Sequence, residues 1–267
     1  MKTLSTCLLV FLIVIPVAAQ DYANAQLESS PRHHEWLEIE ANGRTVHAFA
    51  AFPERETDSP AVLVIHENQG LTDWVRSFAD QIAAAGYLAV APDLLSEFDD
   101  EHEVTSDFEN GDAARSAIYE LNPDQVTRDL LAVQEYMSGM PSSNGDVVVA
   151  GFCWGGSQTF RFATNSDDIA AALVFYGSGP EDDVGFAEIS APVYGFYGGD
   201  DQRVNATIPA SQEGMDRHGK TYDVMIYDGA GHGFMRSGDN PDEAGPDKAA
   251  RDQAWDRLTT ILAEFDE

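Results

Sequence analysis

The stretch that most constrains this chain is Val147-Val148-Val149-Ala150-Gly151-Phe152-Cys153-Trp154-Gly155-Gly156, a β-branched run that breaks into Gly-x-Cys-x-Gly-Gly and continues with helix-like spacing. A strand that feeds so directly into a helix has to turn sharply, and the crowding at that bend favours glycine on both sides of the residue at its tip. Cys153 is the tip residue, expected in an exposed and strained position. The start of the following helix favours a thiolate there. The N–H of Trp154, next in the chain, points at an oxyanion forming in front of the sulfur.

The rest of the chain sets this bend in a layered framework. Short apolar runs at 36–39, 46–52, 61–65, 88–91, 147–152, 172–176, 193–197 and 222–227 alternate with helical patterns at 74–85, 123–140, 155–163, 208–218 and 249–265. That alternation predicts an α/β domain with a mainly parallel, helix-covered sheet. The first two runs, joined across Asn42-Gly43, read as a hairpin. Functional side chains are then expected at the carboxyl ends of the strands.

Composition narrows the partners. With 46 acidic against 15 basic side chains, a net charge of −31, the chain is repelled by nucleic acid and by anionic membranes. At 43% hydrophobic it has enough apolar residues for a sizeable core, and disorder is excluded. Lys2 followed by an apolar run at 8–15 and small residues at Ala18 and Ala19 reads as a secretory signal peptide within residues 1–25. Cleavage after Ala19 and cleavage after Ala25 both fit, leaving one domain over about 26–267 and no stable membrane association once the leader is gone. Cys7 leaves with the leader, so Cys153 is the sole cysteine of the mature chain and no internal disulfide can form. The acidic stretch 97–112 is aperiodic and reads as a solvated excursion near the mouth of the site, without a metal-binding spacing.

A nucleophilic thiol needs a base. Asp228-Gly229-Ala230-Gly231-His232-Gly233-Phe234 puts a histidine in a glycine-rich loop directly after the last strand pattern. The base in turn needs a carboxylate to orient it, and Gly198-Gly199-Asp200-Asp201 follows another strand; Asp201 is preferred, with Asp200 as fallback. The order nucleophile, acid, histidine matches that of α/β-hydrolases and differs from the two best-known serine protease orders. After the strand pattern 61–65 comes His66-Glu67-Asn68, where the N–H of Asn68 would supply the second oxyanion donor and Glu67 would face the thiol. His33, His34, His47, His102 and His218 read as surface or structural histidines.

These separated motifs, together with Ala91-Pro92-Asp93-Leu94 and Tyr176-Gly177, resemble the dienelactone hydrolase (carboxymethylenebutenolidase) family of α/β-hydrolases across nearly the whole mature chain. The resemblance implies an α/β-hydrolase fold with an eight-stranded, mainly parallel sheet and helices on both faces. It implies a triad of Cys153, His232 and Asp201, with Glu67 turning between the cysteine and an arginine as substrate binds, so that the resting sulfur is a thiol. It also implies that Arg236 and Arg115 hold a substrate carboxylate beside Tyr119.

The expected activity is hydrolysis of a small-molecule ester or lactone, carboxylate-bearing, through a thioester on Cys153, by an exported monomer that requires neither metal nor organic cofactor. The alternative is an exported protein of the same fold that senses redox state through Cys153 or binds a ligand without turnover. The excess of carboxylates points to a salt-rich habitat, where they keep the surface hydrated.

Overall fold

The computed structural model describes residues 18–266 apart from Glu56. In chain order the elements are α1 (Ala18–Ser29), β1 (His34–Ala41), β2 (Arg44–Ala51), β3 (Ser59–Ile65), α2 (Asp73–Ala84), β4 (Leu88–Pro92), α3 (Gly111–Glu120) and α4 (Pro123–Ser138). They continue with β5 (Ser143–Phe152), α5 (Trp154–Ala163), β6 (Ala171–Phe175), α6 (Asp183–Glu188), β7 (Val193–Gly198), α7 (Gln202–Asn205), α8 (Ile208–Arg217), β8 (Tyr222–Tyr227), α9 (Phe234–Ser237) and α10 (Pro246–Ala263). All eight expected strands are present, and the helices expected from apolar periodicity stand within a few residues of their predicted bounds.

The strands form one sheet in the order β1-β2-β4-β3-β5-β6-β7-β8. β1 and β2 pair antiparallel with Ala41 opposite Arg44, closed by Asn42 (φ 54) and Gly43 (φ 87). Positive φ at both central residues matches the strand twist, which is why Asn-Gly serves there. β2 is antiparallel to β4, and every pairing from β4 through β8 is parallel. The central strands β3, β4 and β6 are buried along their whole length, as covering both faces of a parallel sheet requires. One face carries a core of Trp74, Phe78, Phe152, Phe175 and Phe196 under α1, α2 and α10; the other packs Leu63, Val149, Phe160 and Met215 under α4, α5 and α8. This is the α/β-hydrolase arrangement implied by the motifs.

Parallel order places the carboxyl ends of β3, β5, β6, β7 and β8 along one edge, and the strand order reverses beside β3, where open α/β sheets bind ligands. The acidic stretch after β4 departs from the solvated excursion expected of it. Asp93, itself buried, accepts hydrogen bonds from the Thr105 N–H (2.6 Å) and hydroxyl (2.7 Å). Phe98 and Phe108 pack against Leu95, Ala114 and Ile118. Two aromatic side chains thus anchor a segment whose charge count alone made it look detached. The apolar run 8–15 and Cys7 lie outside the described residues. α1 contains both expected cleavage positions, Ala19 in its first turn and Ala25 near its middle, and Ala23 is completely buried in the main core.

Candidate active site

The bend after β5 has the geometry the sequence demands. Cys153 adopts φ 56, ψ −115, a conformation costing a non-glycine residue about 1–3 kcal/mol, and its N–H donates to the Phe175 carbonyl at 3.0 Å. Glycine at 155 is obligatory because a Cβ there would sit 2.5 Å from the Ile65 carbonyl oxygen, so α5 leaves the sheet by passing against the end of β3. Below the bend, Phe152 is fully buried and edge-on to Trp74 and Phe78, with its face on Phe175. The strained tip therefore rests on a rigid aromatic base.

The sulfur of Cys153 stands 3.1 Å from His232 Nε2, and His232 Nδ1 stands 2.5 Å from Asp201 Oδ2. The two loops that bring acid and histidine together touch backbone to backbone. A Cβ on Gly198 would lie 2.5 Å from the Gly231 oxygen, and the Asp200 N–H donates to the Ala230 carbonyl at 2.9 Å. The other Asp201 oxygen accepts the Val204 N–H at 3.3 Å, capping α7. An ionised carboxylate only accepts, so Nδ1 carries the proton and Nε2 presents a lone pair to the thiol. Asp200, the fallback acid, is exposed, and it is Asp201 that pairs with His232.

Glu67 and Arg236 pair with each other, Arg236 Nε to Glu67 Oε2 at 2.7 Å. The sulfur feels this carboxylate nonetheless. Burial first, and the Glu67 charge second, push the Cys153 thiol up to about 11, against opposing pulls from the Trp154 N–H, Arg203 and Arg236. The thiolate bias expected from the helix start is thus outweighed, and the resting sulfur is a thiol. The Trp154 N–H, first in α5 and without an intrahelical acceptor, is directed at the sulfur side of the site. Glu67 raises the Arg236 guanidinium further above its ordinary value.

The remaining expected residues separate into two groups. Asn68 lies beside Tyr119, its side-chain Nδ2 donating to the Tyr119 hydroxyl at 3.3 Å, so α3 does reach the β3 end. Arg115, one helical turn earlier, pairs instead with Asp112 at 2.8 Å, its one ion pair among the described residues. His66 is buried and neutral in role. Its Nδ1–H donates to the Glu67 carbonyl (2.7 Å), its Nε2 accepts the Leu94 N–H (3.2 Å), and it stacks on Trp154. Burial lowers its proton affinity, and the ring fixes the end of β3.

Two further residues stand beside the triad: Tyr176, which the sequence offered only as part of a motif and without a role, and Arg203, which it did not single out. Tyr176, with φ 41, is completely buried with its ring 5.0 Å from that of His232. Its hydroxyl has no hydrogen-bond partner among the described residues, and burial, with Glu67 alongside, holds it protonated. Arg203, two residues after Asp201, makes no ion pair among the described residues although its charge reaches the sulfur. Position after a strand end was the available signal for both. In so acidic a chain, however, an arginine reads first as a surface partner.

The sequence profile of the dienelactone hydrolase family matches residues 46–266. The chain belongs to the dienelactone hydrolase family. It is accordingly a hydrolase, and the family match spans every residue of the cysteine–histidine–aspartate constellation. A Saccharolobus solfataricus protein named "Putative carboxymethylenebutenolidase" is 28% identical over 254 residues, covering 84% of this chain and 95% of its own. A Methylorubrum extorquens protein of the same name is 30% identical over 239 residues, covering 84% of this chain and 79% of its own. Among solved structures, the dienelactone hydrolase-like promiscuous phosphotriesterase P91 from metagenomic libraries superposes with a TM-score of 0.74 at 22% identity, over 88% of this chain and 99% of its own. That likeness shows the α/β-hydrolase fold for this dienelactone hydrolase family member.

Proposed function

We propose that this dienelactone hydrolase family member cleaves a carboxylate-bearing ester or lactone through a thioester on Cys153. The observation that carries the reading is the unbroken series from sulfur to Nε2 (3.1 Å) and from Nδ1 to the Asp201 carboxylate (2.5 Å), set at a strained bend on the substrate edge of the sheet.

The resting thiol is protonated and poorly nucleophilic. A substrate carboxylate fits the planar fork of Arg236, and in docking it competes with Glu67 for that cation. Glu67 then becomes a stronger base; it either turns away from the sulfur or takes its proton, and in both cases the adjacent negative charge disappears. Where His232 is the acceptor, the S–H proton passes to Nε2 as sulfur attacks the carbonyl carbon. The N–H groups of Trp154 and Asn68 receive the oxyanion. Imidazolium protonates the departing alkoxide, leaving the acyl group on sulfur. His232 next takes a proton from water, hydroxide attacks the thioester, and the proton returns to the thiol. Asp201 holds the ring in the required tautomer throughout.

Cys153→Ala is expected to abolish hydrolysis of a carboxylate-bearing p-nitrophenyl ester. Rapid quenching of the wild-type reaction is expected to show the acyl adduct by mass. Full activity in the variant would overturn the reading. The redox-sensing alternative fares worse on the same sulfur, because sensor cysteines are of low pKa and this one is raised. We read the leader and the acidic surface as those of an exported monomer suited to high salt.

A further inference from the structure

Helix α1 precedes the family-matched region, yet it is built into the active-site side of the domain. The Tyr22 hydroxyl donates to the main-chain carbonyl of Arg236 at 3.0 Å. Ala23 is wholly buried, Leu27 packs on the same core, and Gln26 accepts a hydrogen bond from Ser77 of α2 at 2.7 Å. Just beyond the helix, Ser30 and Arg32 both bind the buried Asp80 carboxylate of α2, Ser30 Oγ and Arg32 Nε each at 2.7 Å.

The element that α1 braces is the one that holds the clamp. α9 is only four residues long, is preceded by its N-cap Gly233 (φ 79) directly after His232, and carries Arg236 in its single turn. One turn of helix has almost no stability of its own, and its last carbonyls have no intrahelical donor. The carbonyl of Arg236 is one of these, and Tyr22 is its donor. Burial first, then the Asp239 and Glu67 charges, raise the proton affinity of the phenol against the opposing pull of Arg236 and Arg251, so it stays a donor over the working pH range.

We propose that α1 is a working part of the mature enzyme and that Tyr22 is a positioning residue, fixing the main chain of Arg236 so that its guanidinium meets Glu67 and the substrate carboxylate. A consequence separates the two leader cleavage positions. Cutting after Ala19 trims only the start of the helix and keeps Tyr22, whereas cutting after Ala25 removes its first two turns with both Tyr22 and Ala23. The mature chain therefore begins at Gln20.

The inference rests on the Arg236 clamp proposed above, and the experiment separates the two. Tyr22→Phe keeps the ring and deletes the hydroxyl; it is compared with wild type and Arg236→Met on mono-p-nitrophenyl succinate and on p-nitrophenyl butyrate. Loss of one hydrogen bond predicts a KM for the hemiester about fivefold higher in Tyr22→Phe, with kcat and the neutral ester's kinetics unchanged. A rise in KM for Arg236→Met without one for Tyr22→Phe would overturn the positioning role alone. So would an equal fall in kcat on both esters, which is what simple destabilisation gives. No rise in either variant would overturn the clamp and with it this inference. Intact mass of the exported chain is expected to show Gln20 first; a chain starting at Gln26 and fully active on the hemiester would refute the role of α1.

Discussion

Replacing Asp201 by asparagine tests the catalytic geometry most directly, because the structure dictates how the new amide must sit. One Asp201 oxygen accepts the Val204 N–H at 3.3 Å, and the other lies 2.5 Å from His232 Nδ1. Only the amide oxygen can take the first place, so the NH2 group falls on Nδ1 and donates to it. The imidazole proton is then forced onto Nε2, 3.1 Å from sulfur, where it donates to Cys153 instead of accepting its proton. Shape and volume are nearly unchanged, so the protein should fold. A wrong-tautomer triad loses about 10⁴-fold in kcat, equivalent to about 5 kcal/mol of transition-state stabilisation. The assay is steady-state hydrolysis of mono-p-nitrophenyl succinate, with stopped-flow measurement of acylation and a thermal melt to confirm folding. Asp200→Asn, altering an exposed carboxylate outside the relay, should stay within about threefold of wild type. A folded Asp201→Asn enzyme losing less than tenfold, or an Asp200→Asn enzyme losing as much, would refute the assigned relay.

Glu67→Gln removes the anion that adds to burial in holding the thiol near 11, and an anion disfavours thiolate. Iodoacetamide alkylation of Cys153 in the free variant should therefore rise at lower pH than in wild type, and an unmoved or upward-shifted profile would contradict this. Phe152→Ala empties the fully buried space between Trp74, Phe78 and Phe175 under the nucleophile. The expected cost is about 3–5 kcal/mol, read as a fall in Tm of roughly 10 °C, and a change below about 1 kcal/mol would show that the aromatic base is not close-packed. With a net charge of −31, the enzyme should keep its activity and melting temperature in molar NaCl; unfolding there, with greater stability at low salt, would count against salt adaptation.

Much of this protein was legible in local chemistry. Continuous apolar runs such as Val147-Val148-Val149-Ala150 can be satisfied only inside a sheet covered on both faces, and Asn42-Gly43 can close a hairpin unaided. Gly151-Phe152-Cys153-Trp154-Gly155 announces a bend too tight for side chains at positions 151 and 155. Short elements were less legible. α7 and α9 have four residues each and carry no periodicity to read, although α9 bears Arg236.

What folding alone decided concerns balances between groups far apart in the chain. The family resemblance nominates Arg115 and Arg236 alike, but only assembly shows the first on Asp112 and the second on Glu67, 169 residues away. A helix start favours a thiolate wherever it occurs; whether that preference prevails depends on how much water the surrounding chain excludes and on which charge it leaves nearby. Here enclosure and Glu67 keep the proton on Cys153. Likewise α1, which the sequence assigned in part to a discarded leader, gains its place from the Arg236 carbonyl that meets Tyr22 across 214 residues. Sequence pattern records backbone preference and burial, whereas proton affinity and clamp geometry are set by neighbours that only the folded chain supplies.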